Sequence, residues 1–269
     1  MTRVHDNHNH LVANGDAVAM LRAAEAAGLA SFAFTEHVFH LEEARAASHY
    51  LGTRWDGELE GPPIGVEQYL SEIAAAARAV PAVAVTVGLE LEHWPDDPQV
   101  REVQDAFVAN HADAWDLVLG SVHCLRGDHS IFDPLMPFSA GEAWDDYFER
   151  LADAVEHGGY DVVTHPVRLA VSRPEVPADL AERLDRLAEL AAAGDTALEV
   201  NGSDVRVYPE LVQLLCESIA RAGGPVSLGS DAHRPHRVGA VLDGVELLRA
   251  AGVRQAVAFE RGRRRNVAL

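Results

Sequence analysis

The sequence predicts an α/β protein in which seven strand–helix units close into a (β/α)7 barrel. Short apolar runs alternate with helical patterns along the chain, and this order is typical of parallel strands joined by crossover helices. No internal repeat, low-complexity segment or change of composition divides the 269 residues, so we expect a single domain over residues 1–269. An open, doubly wound sheet built from the same elements is the structural alternative.

The predicted strands are short apolar runs bounded by turn residues or by polar groups. They cover residues 4–9, 31–35, 82–89, 115–121, 160–164, 197–200 and 225–228. The predicted helices have apolar residues at helical spacing. They cover residues 17–27, 66–79, 98–110, 142–157, 179–193, 209–222 and 238–251. Asp179 is typical of a helix start, and Gly194 is the expected C-terminal cap of the same helix.

The charge balance excludes several kinds of partner and chemistry. The chain has 42 acidic and 22 basic residues, a net charge of −20, which disfavours nucleic-acid polymers and membranes as partners. Every basic residue is arginine, because no lysine occurs. This excludes Schiff-base chemistry, lysine-dependent phosphate loops, metal sites bridged by a carbamylated lysine, and phosphatases that need a lysine beside an aspartyl nucleophile. Acid–base and metal chemistry remain, and the oligomeric state is left open.

The sequence has the features of a cytoplasmic protein. No stretch approaches the roughly 18 consecutive apolar residues of a membrane-spanning helix. The first residues, "MTRVHDNHNH", lack the apolar core of a secretory leader. The two cysteines, Cys124 and Cys216, make no disulfide framework, which fits a reducing compartment. We therefore expect a cytoplasmic location.

Side chains that commonly bind metals follow all but one of the predicted strands. They are His8 and His10, His37, Glu90 with Glu92 and His93, His123, His165, and Asp231 with His233. Each group alone has a structural explanation, such as a surface histidine pair or a helix cap in "TEH". Their coincidence at the C-terminal ends of strands, where barrel enzymes build their sites, predicts a metal cluster.

The ligand types indicate which ions the cluster would bind. Imidazole and carboxylate without thiolate suit zinc, manganese or ferrous iron. The ligands are too many for one ion, so we expect two or three divalent ions. Cations would also offset the repulsion among clustered carboxylates. Cys124 follows His123 directly but points to the opposite face of an extended chain, so we expect it to be a small buried apolar residue.

The motifs "HNH", "TEH", "GLE", "GSVH", "THP" and "GSDAH", in this order, resemble the PHP (polymerase and histidinol phosphatase) family. The "TEH" and "GSDAH" forms resemble its histidinol-phosphate phosphatase branch most. The resemblance extends from Asp6 to about His236 and implies a distorted (β/α)7 TIM-like barrel that holds up to three divalent ions. The ligands it implies are His8, His10, Asp16, His37, Glu90 as a bridging carboxylate, His123, His165, Asp231 and His233.

The same resemblance implies further site residues. Arg168 and Arg206 would bind the substrate phosphate, for which the planar guanidinium is suited; each could instead be a surface arginine. Asp16 could cap the following helix rather than bind metal. Independently of the resemblance, the leaving alkoxide needs a proton, which Asp231 or a nearby histidine such as His40 could supply.

The function implied is hydrolysis of a small phosphate monoester, with histidinol phosphate, from histidine biosynthesis, as the first candidate. A nucleotide phosphatase or phosphodiesterase of the same family is the alternative. A non-catalytic, metal-binding regulatory domain is the alternative from another class. The substrate would be selected by loops, chiefly residues 40–65, which include Trp55, and residues 127–140.

The C-terminal tail contains a basic cluster formed by Arg261, Arg263, Arg264 and Arg265. We interpret it as a solvated charge cluster. A contact with the acidic surface of another subunit is the alternative.

Overall fold

Seven parallel strands, adjacent to one another in chain order, form the central sheet of the computed structural model, which describes residues 4–12, 15–44 and 63–269. They are β1 (His5–Asp6), β2 (Ser31–His37), β3 (Ala84–Glu92), β4 (Leu117–Ser121), β5 (Val162–Val163), β6 (Ala197–Asn201) and β7 (Val226–Gly229). Each of them overlaps a predicted strand.

The first and last strands meet, so the sheet closes into a barrel. Asn9 forms a parallel bridge with Ala232, and the backbone N–H of Asn7 donates to the carbonyl of Leu228 at 2.8 Å. Just beyond β7, the hydroxyl of Ser230 donates to the buried carboxylate of Asp6 at 2.6 Å. The closed (β/α)7 barrel is thereby confirmed, and the open-sheet alternative is wrong.

Helices follow the strands and cover the outside of the barrel. They are α1 (Ala17–Ala26), α2 (Val66–Ala79), α3 (Pro98–Asn110), α4 (Ala140–His157), α5 (Leu180–Gly194), α6 (Gly202–Val207), α7 (Pro209–Ala222) and α8 (Val241–Ala250). In α4, Trp144, Tyr147 and Leu151 lie on one face and are fully buried, as helical spacing requires. Among the described residues, no helix has both the length and the apolar composition needed to cross a bilayer.

Several local features differ from the sequence predictions. Gly194 is the last helical residue of α5, and Asp195 adopts the left-handed cap with φ of 58°. Asp179 occupies the N-cap position, but its carboxylate accepts a hydrogen bond from Arg183 instead of capping the helix. The short helix α6 was not predicted, because six residues are too few to show helical periodicity.

A C-terminal hairpin, also not predicted, closes the end of the barrel opposite the predicted ligands. Strands β8 (Gln255–Glu260) and β9 (Arg263–Ala268) pair antiparallel. Val257 and Phe259 are buried in one apolar cluster with residues from the first halves of the barrel strands. Asn7 donates its side-chain N–H to the Val257 carbonyl at 2.9 Å. The hairpin therefore fills the N-terminal end of the barrel.

The arginines of the predicted tail cluster lie on this hairpin and are exposed, as expected for solvated charges. Arg264 pairs with Asp195 at 2.5 Å. At the start of the predicted loop of residues 40–65, the structure describes a short 3₁₀ turn that ends at His40 (Val38–His40) and a second one at Glu42–Ala44. Residues 45–62 of that loop, including Trp55, lie outside the described residues.

Candidate metal centre

A cluster of buried imidazoles surrounds the carboxylate of Glu90 at the C-terminal end of the barrel. Glu90 lies on β3, whose register aligns it with His37 at the end of β2. The nitrogens nearest to its two oxygens are His37 Nδ1 at 2.6 Å, His8 Nε2 at 3.4 Å, His10 Nε2 and His165 Nε2 at 3.5 Å, and His123 Nε2 at 3.7 Å. One carboxylate thus lies close to five imidazoles from four strand ends.

Asp231 is the second carboxylate of the cluster. Its Oδ1 lies 3.2 Å from His10 Nε2 and 3.6 Å from His233 Nδ1. In each of three groups of side chains, the potential ligand atoms lie within 4.8 Å of one another. These are His8, His10 and Glu90; Glu90, His123 and His165; and His10, His37 and His233. Glu90 and His10 each belong to two of these groups. The geometry therefore favours adjacent ions that share ligands.

Two members of the cluster have strained backbones. His165 has φ of 33° and Asp231 has φ of 52°, a region that residues other than glycine rarely adopt. The surrounding structure holds both: Glu199 Oε2 accepts from the backbone N–H of His165 at 2.9 Å, and the His8 carbonyl accepts from that of Asp231 at 2.8 Å. Strain of this kind is typical of functional sites, where it fixes side-chain direction.

Carboxylates behind the cluster fix the orientation of two imidazoles. Nδ1 of His8 donates to Glu199 at 2.8 Å, and Nδ1 of His123 donates to Glu92 at 2.8 Å. With Nδ1–H engaged, each ring turns Nε2 towards Glu90, as in carboxylate–histidine–metal arrangements. Gly229 makes room for this contact, since a Cβ there would lie 2.1 Å from Glu199 Oε1.

Glu36 connects three parts of the site. Its Oε2 accepts from the backbone N–H groups of Leu11 and Val12, each at 2.8 Å. Its Oε1 accepts from His40 Nδ1 at 2.8 Å and lies 3.5 Å from His10 Nδ1. The motif "TEH" allows a capping role for Glu36, and no motif predicts a role for Glu199. A lone carboxylate inside the apolar strand "ALEVN" was the available signal for Glu199.

The residues present fit a metal cluster. Glu90 Oε2, His10 Nδ1 and His165 Nδ1 are buried without a hydrogen-bond partner among the described residues, and unsatisfied buried polar atoms are costly. Nε2 of His123 and Nε2 of His165 face each other at 3.2 Å. Cations between these atoms would satisfy the carboxylate and the ring nitrogens together.

Burial and charge shift the pKa values of the imidazoles in opposite directions. Burial lowers the pKa of His37 to about 3 and that of His165 to about 4. Burial also acts to lower the pKa of His10, but the nearby carboxylates of Asp231 and Glu36 outweigh it and raise this pKa to about 9. His37 and His165 therefore offer neutral nitrogens at pH 7, whereas a metal on His10 would displace a proton.

Arg168 reaches the cluster through Asp231. Its Nη2 donates to Asp231 Oδ2 at 2.8 Å, and its Nε donates to Asp204 Oδ1 at 2.5 Å. Burial alone would raise the pKa of Asp231, but Arg168 and His8 hold it well below its usual range. The guanidinium is nearly buried, so Arg168 is not the surface arginine that the sequence allowed.

The structure does not bring two predicted site residues to the cluster. Asp16 is exposed and caps α1, with its Oδ1 accepting from the backbone N–H of Ala19 at 2.8 Å; this is the capping alternative that the sequence left open. Arg206 is half-exposed and pairs with Asp243 at 3.1 Å, and no described contact joins it to the ligands. Both lie in segments that follow a strand, so strand order alone could not separate them from the residues of the buried cluster.

The sequence model of the PHP domain matches residues 2–203, which is most of the chain. The chain belongs to the PHP domain family. A relative from Deinococcus radiodurans, named "Probable histidinol-phosphatase", is 30% identical over 94% of this chain and 96% of its own length. A Shewanella piezotolerans protein named "Probable phosphatase" is 24% identical over 91% of this chain and 84% of its own.

A solved structure of a histidinol phosphate phosphatase has the same fold. Histidinol phosphate phosphatase from Lactococcus lactis, crystallised with zinc, L-histidinol and phosphate, matches with a TM-score of 0.77 at 20% identity and covers 98% of both chains. The TIM-like barrel predicted from the motifs is confirmed by this similarity. The PHP domain match ends before β7, yet the closed barrel places Asp231 and His233 against His10.

The contacts of Glu90 generate a prediction about metal binding. Glu90→Gln removes the negative charge shared by the groups of imidazoles, so we expect the purified variant to lose most of its bound metal while its circular dichroism spectrum stays unchanged. Metal per chain would be measured by mass spectrometry after reconstitution. Glu72→Gln, on the outer face of α2, is the control and should bind as the wild type does. Full metal content in Glu90→Gln would contradict the bridging role.

Proposed function

We propose that this PHP domain is a metal-dependent phosphatase that hydrolyses a small phosphate monoester. The observation that carries the proposal is that five imidazoles surround the buried Glu90 carboxylate, and that Arg168 binds Asp231 at the edge of this cluster. The names of the relatives support the same reaction class. A regulatory role without catalysis gives no reason for a buried arginine at the edge of the ligands.

Eight side chains would hold the ions. They are His8, His10, His37, Glu90, His123, His165, Asp231 and His233. Divalent ions in such a site supply a hydroxide at neutral pH and neutralise phosphoryl oxygens. Zinc is the first candidate, because it is present in the Lactococcus lactis structure; manganese and iron suit the same ligands.

Arg168 would orient the phosphate. Two of its donors already engage Asp231 and Asp204, which fixes the guanidinium plane beside the ligands and leaves further N–H groups for a phosphoryl oxygen. A monoester dianion presents more charge to such a clamp than a diester does. This charge difference favours monoesters over the phosphodiesterase alternative.

His40 and Asp231 remain the candidates for the group that protonates the leaving alcohol. Asp231 is held ionised by Arg168 and is better suited to binding metal. His40 is buried, its ring lies 5.6 Å from that of His37, and its Nδ1–H is fixed by Glu36. We therefore assign the proton donor to Nε2 of His40.

The role of His40 predicts a dependence on the leaving group. His40→Asn should lower kcat for an alkyl phosphate by about 10²–10⁴-fold, the usual contribution of a positioned acid. Hydrolysis of 4-nitrophenyl phosphate should change little, because its leaving group needs no proton. Equal losses on both substrates would remove His40 from this role and leave Asp231 as the candidate.

Histidinol phosphate is the first candidate substrate, supported by the names of the Deinococcus radiodurans and Lactococcus lactis proteins. The test is an assay of the zinc- or manganese-loaded protein on histidinol phosphate, mononucleotides and cyclic phosphodiesters. Preference for histidinol phosphate supports the proposal. Preference for nucleotides or diesters supports the alternative activity, and no hydrolysis of any ester by the metal-loaded protein supports the regulatory alternative.

The different positions of the two arginines give a matched pair of variants. Arg168→Ala should lower kcat/KM for a monoester about ten- to a hundredfold, as expected for one charged hydrogen bond of about 1.5–3 kcal/mol. Arg206→Ala should have little effect, because Arg206 pairs with Asp243. Metal content, measured on the same samples, separates loss of the phosphate contact from displacement of Asp231. A larger loss in Arg206→Ala than in Arg168→Ala would reverse the assignment.

A further inference from the structure

Two buried hydroxyl groups lie between the apolar interior of the barrel and the metal centre. Ser121 is the last residue of β4 and Thr164 directly follows β5, and both side chains are fully buried. Two residues earlier on the same strands, Leu119 and Val162 belong to the apolar cluster inside the barrel. Because alternate residues of a strand share a face, both hydroxyls lie one layer above that cluster. We call Ser121 and Thr164 the hydroxyl pair.

The hydroxyl pair is hydrogen-bonded to Glu90. The Ser121 hydroxyl donates to Glu90 Oε1, and the Ser121 and Thr164 oxygens lie 2.5 Å apart. A hydroxyl has one hydrogen to donate. Since Ser121 gives its hydrogen to Glu90, its oxygen accepts the hydrogen of Thr164. The resulting chain runs from Thr164 through Ser121 to the carboxylate and links β5, β4 and β3.

The two oxygens of the Glu90 carboxylate differ in their hydrogen bonds. Oε1 accepts from Ser121, whereas Oε2 has no hydrogen-bond partner among the described residues. The terminal torsion of a glutamate side chain is broad, so a carboxylate rotates unless a contact holds it. The Ser121 hydroxyl supplies that contact on one side. It keeps Oε2 turned towards His37 and His10, whose nearest nitrogens lie 2.6 Å and 3.5 Å away.

Thr164 also contacts a second predicted ligand. Its Oγ1 lies 3.0 Å from Nε2 of His165, the nitrogen that faces Glu90. A ring nitrogen that binds a cation has no lone pair left to accept a hydrogen bond. With a cation on His165, the Thr164 hydrogen is therefore left for Ser121. Hydrogen bonds in a chain polarise one another, so this change strengthens the bond from Ser121 to Glu90.

We propose that Ser121, supported by Thr164, is a positioning residue of the metal centre, because its hydroxyl holds the Glu90 carboxylate in the orientation that bridges adjacent ions. The inference rests on the proposed metal centre and adds two residues that lie outside its ligand set. Groups that orient metal ligands commonly contribute about ten- to a hundredfold to metal affinity. A hydroxyl with a purely structural role would stabilise the metal-free chain and leave the affinity for ions unchanged.

The test compares Ser121→Ala with the wild type and with a control, Ser218→Ala, which removes a buried hydroxyl from α7. Zinc affinity would be measured by competition with a chromophoric chelator, and coupling between ions by electron paramagnetic resonance of the manganese-loaded protein. Ser121→Ala should raise the zinc dissociation constant about ten- to a hundredfold and weaken the exchange coupling between manganese ions at full loading. Ser218→Ala should match the wild type in both measurements.

Thr164 offers a second pair of variants that does not alter Ser121. Thr164→Val keeps the shape of the side chain and removes its hydroxyl, and it should raise the zinc dissociation constant about two- to tenfold, the effect of one hydrogen bond. Thr164→Ser keeps the hydroxyl and should bind zinc as the wild type does. This pair decides the question if Ser121→Ala does not fold, and equal affinities of the two Thr164 variants would then contradict the inference.

Other outcomes would overturn the inference. If Ser121→Ala lowers the melting temperature of the metal-free chain but keeps the zinc affinity and manganese coupling of the wild type, the hydroxyl only stabilises a buried carboxylate. If Ser218→Ala loses as much affinity as Ser121→Ala, the loss is not specific to the hydroxyl pair. If the wild type itself binds fewer than one ion per chain, the proposed metal centre fails together with the inference.

Discussion

The burial of the Glu90 carboxylate is the interaction on which the rest of this site depends. A buried carboxylate is stable only when opposite charge or hydrogen-bond donors compensate it. Here the compensating groups are imidazoles, and the chain contains no lysine that could replace them. Burial acts to raise the pKa of Glu90, but His37 and His8 hold it well below its usual range. The cluster thus concentrates charge where a divalent cation would satisfy side chains from several strands at once.

The surrounding structure maintains this arrangement at a cost in backbone strain and further buried charge. His165 and Asp231 keep left-handed backbones because Glu199 and the His8 carbonyl hold their N–H groups. Glu199 also orients His8, so a single carboxylate links strands β1, β5 and β6. The hairpin at the other end of the barrel, through Val257, completes the apolar interior beneath these polar groups. Stability and function are therefore assigned to opposite ends of the barrel, as in TIM barrels generally.

The sequence was sufficient to predict the barrel and the clustering of buried imidazoles and carboxylates at one end of it, because both follow from local patterns. Apolar runs define strands, and a histidine or acid directly after a run lies at the C-terminal end of the sheet. The orientation of a side chain after the strand ends is not a local property. Asp16 follows the first strand as His10 does, but it lies at the start of α1, where a free backbone N–H competes for its carboxylate. Glu199 lies within a strand, and only the closed barrel shows that it contacts His8.

The central claim is that Glu90 and the surrounding imidazoles form a polynuclear metal centre. The most direct measurement is the metal stoichiometry of the purified chain after reconstitution with zinc or manganese, determined by elemental analysis against an accurate protein concentration. We expect two or three tightly bound divalent ions per chain, with hydrolysis of phosphate esters lost on chelation. Fewer than one ion per chain, or hydrolysis that survives exhaustive chelation, would contradict it.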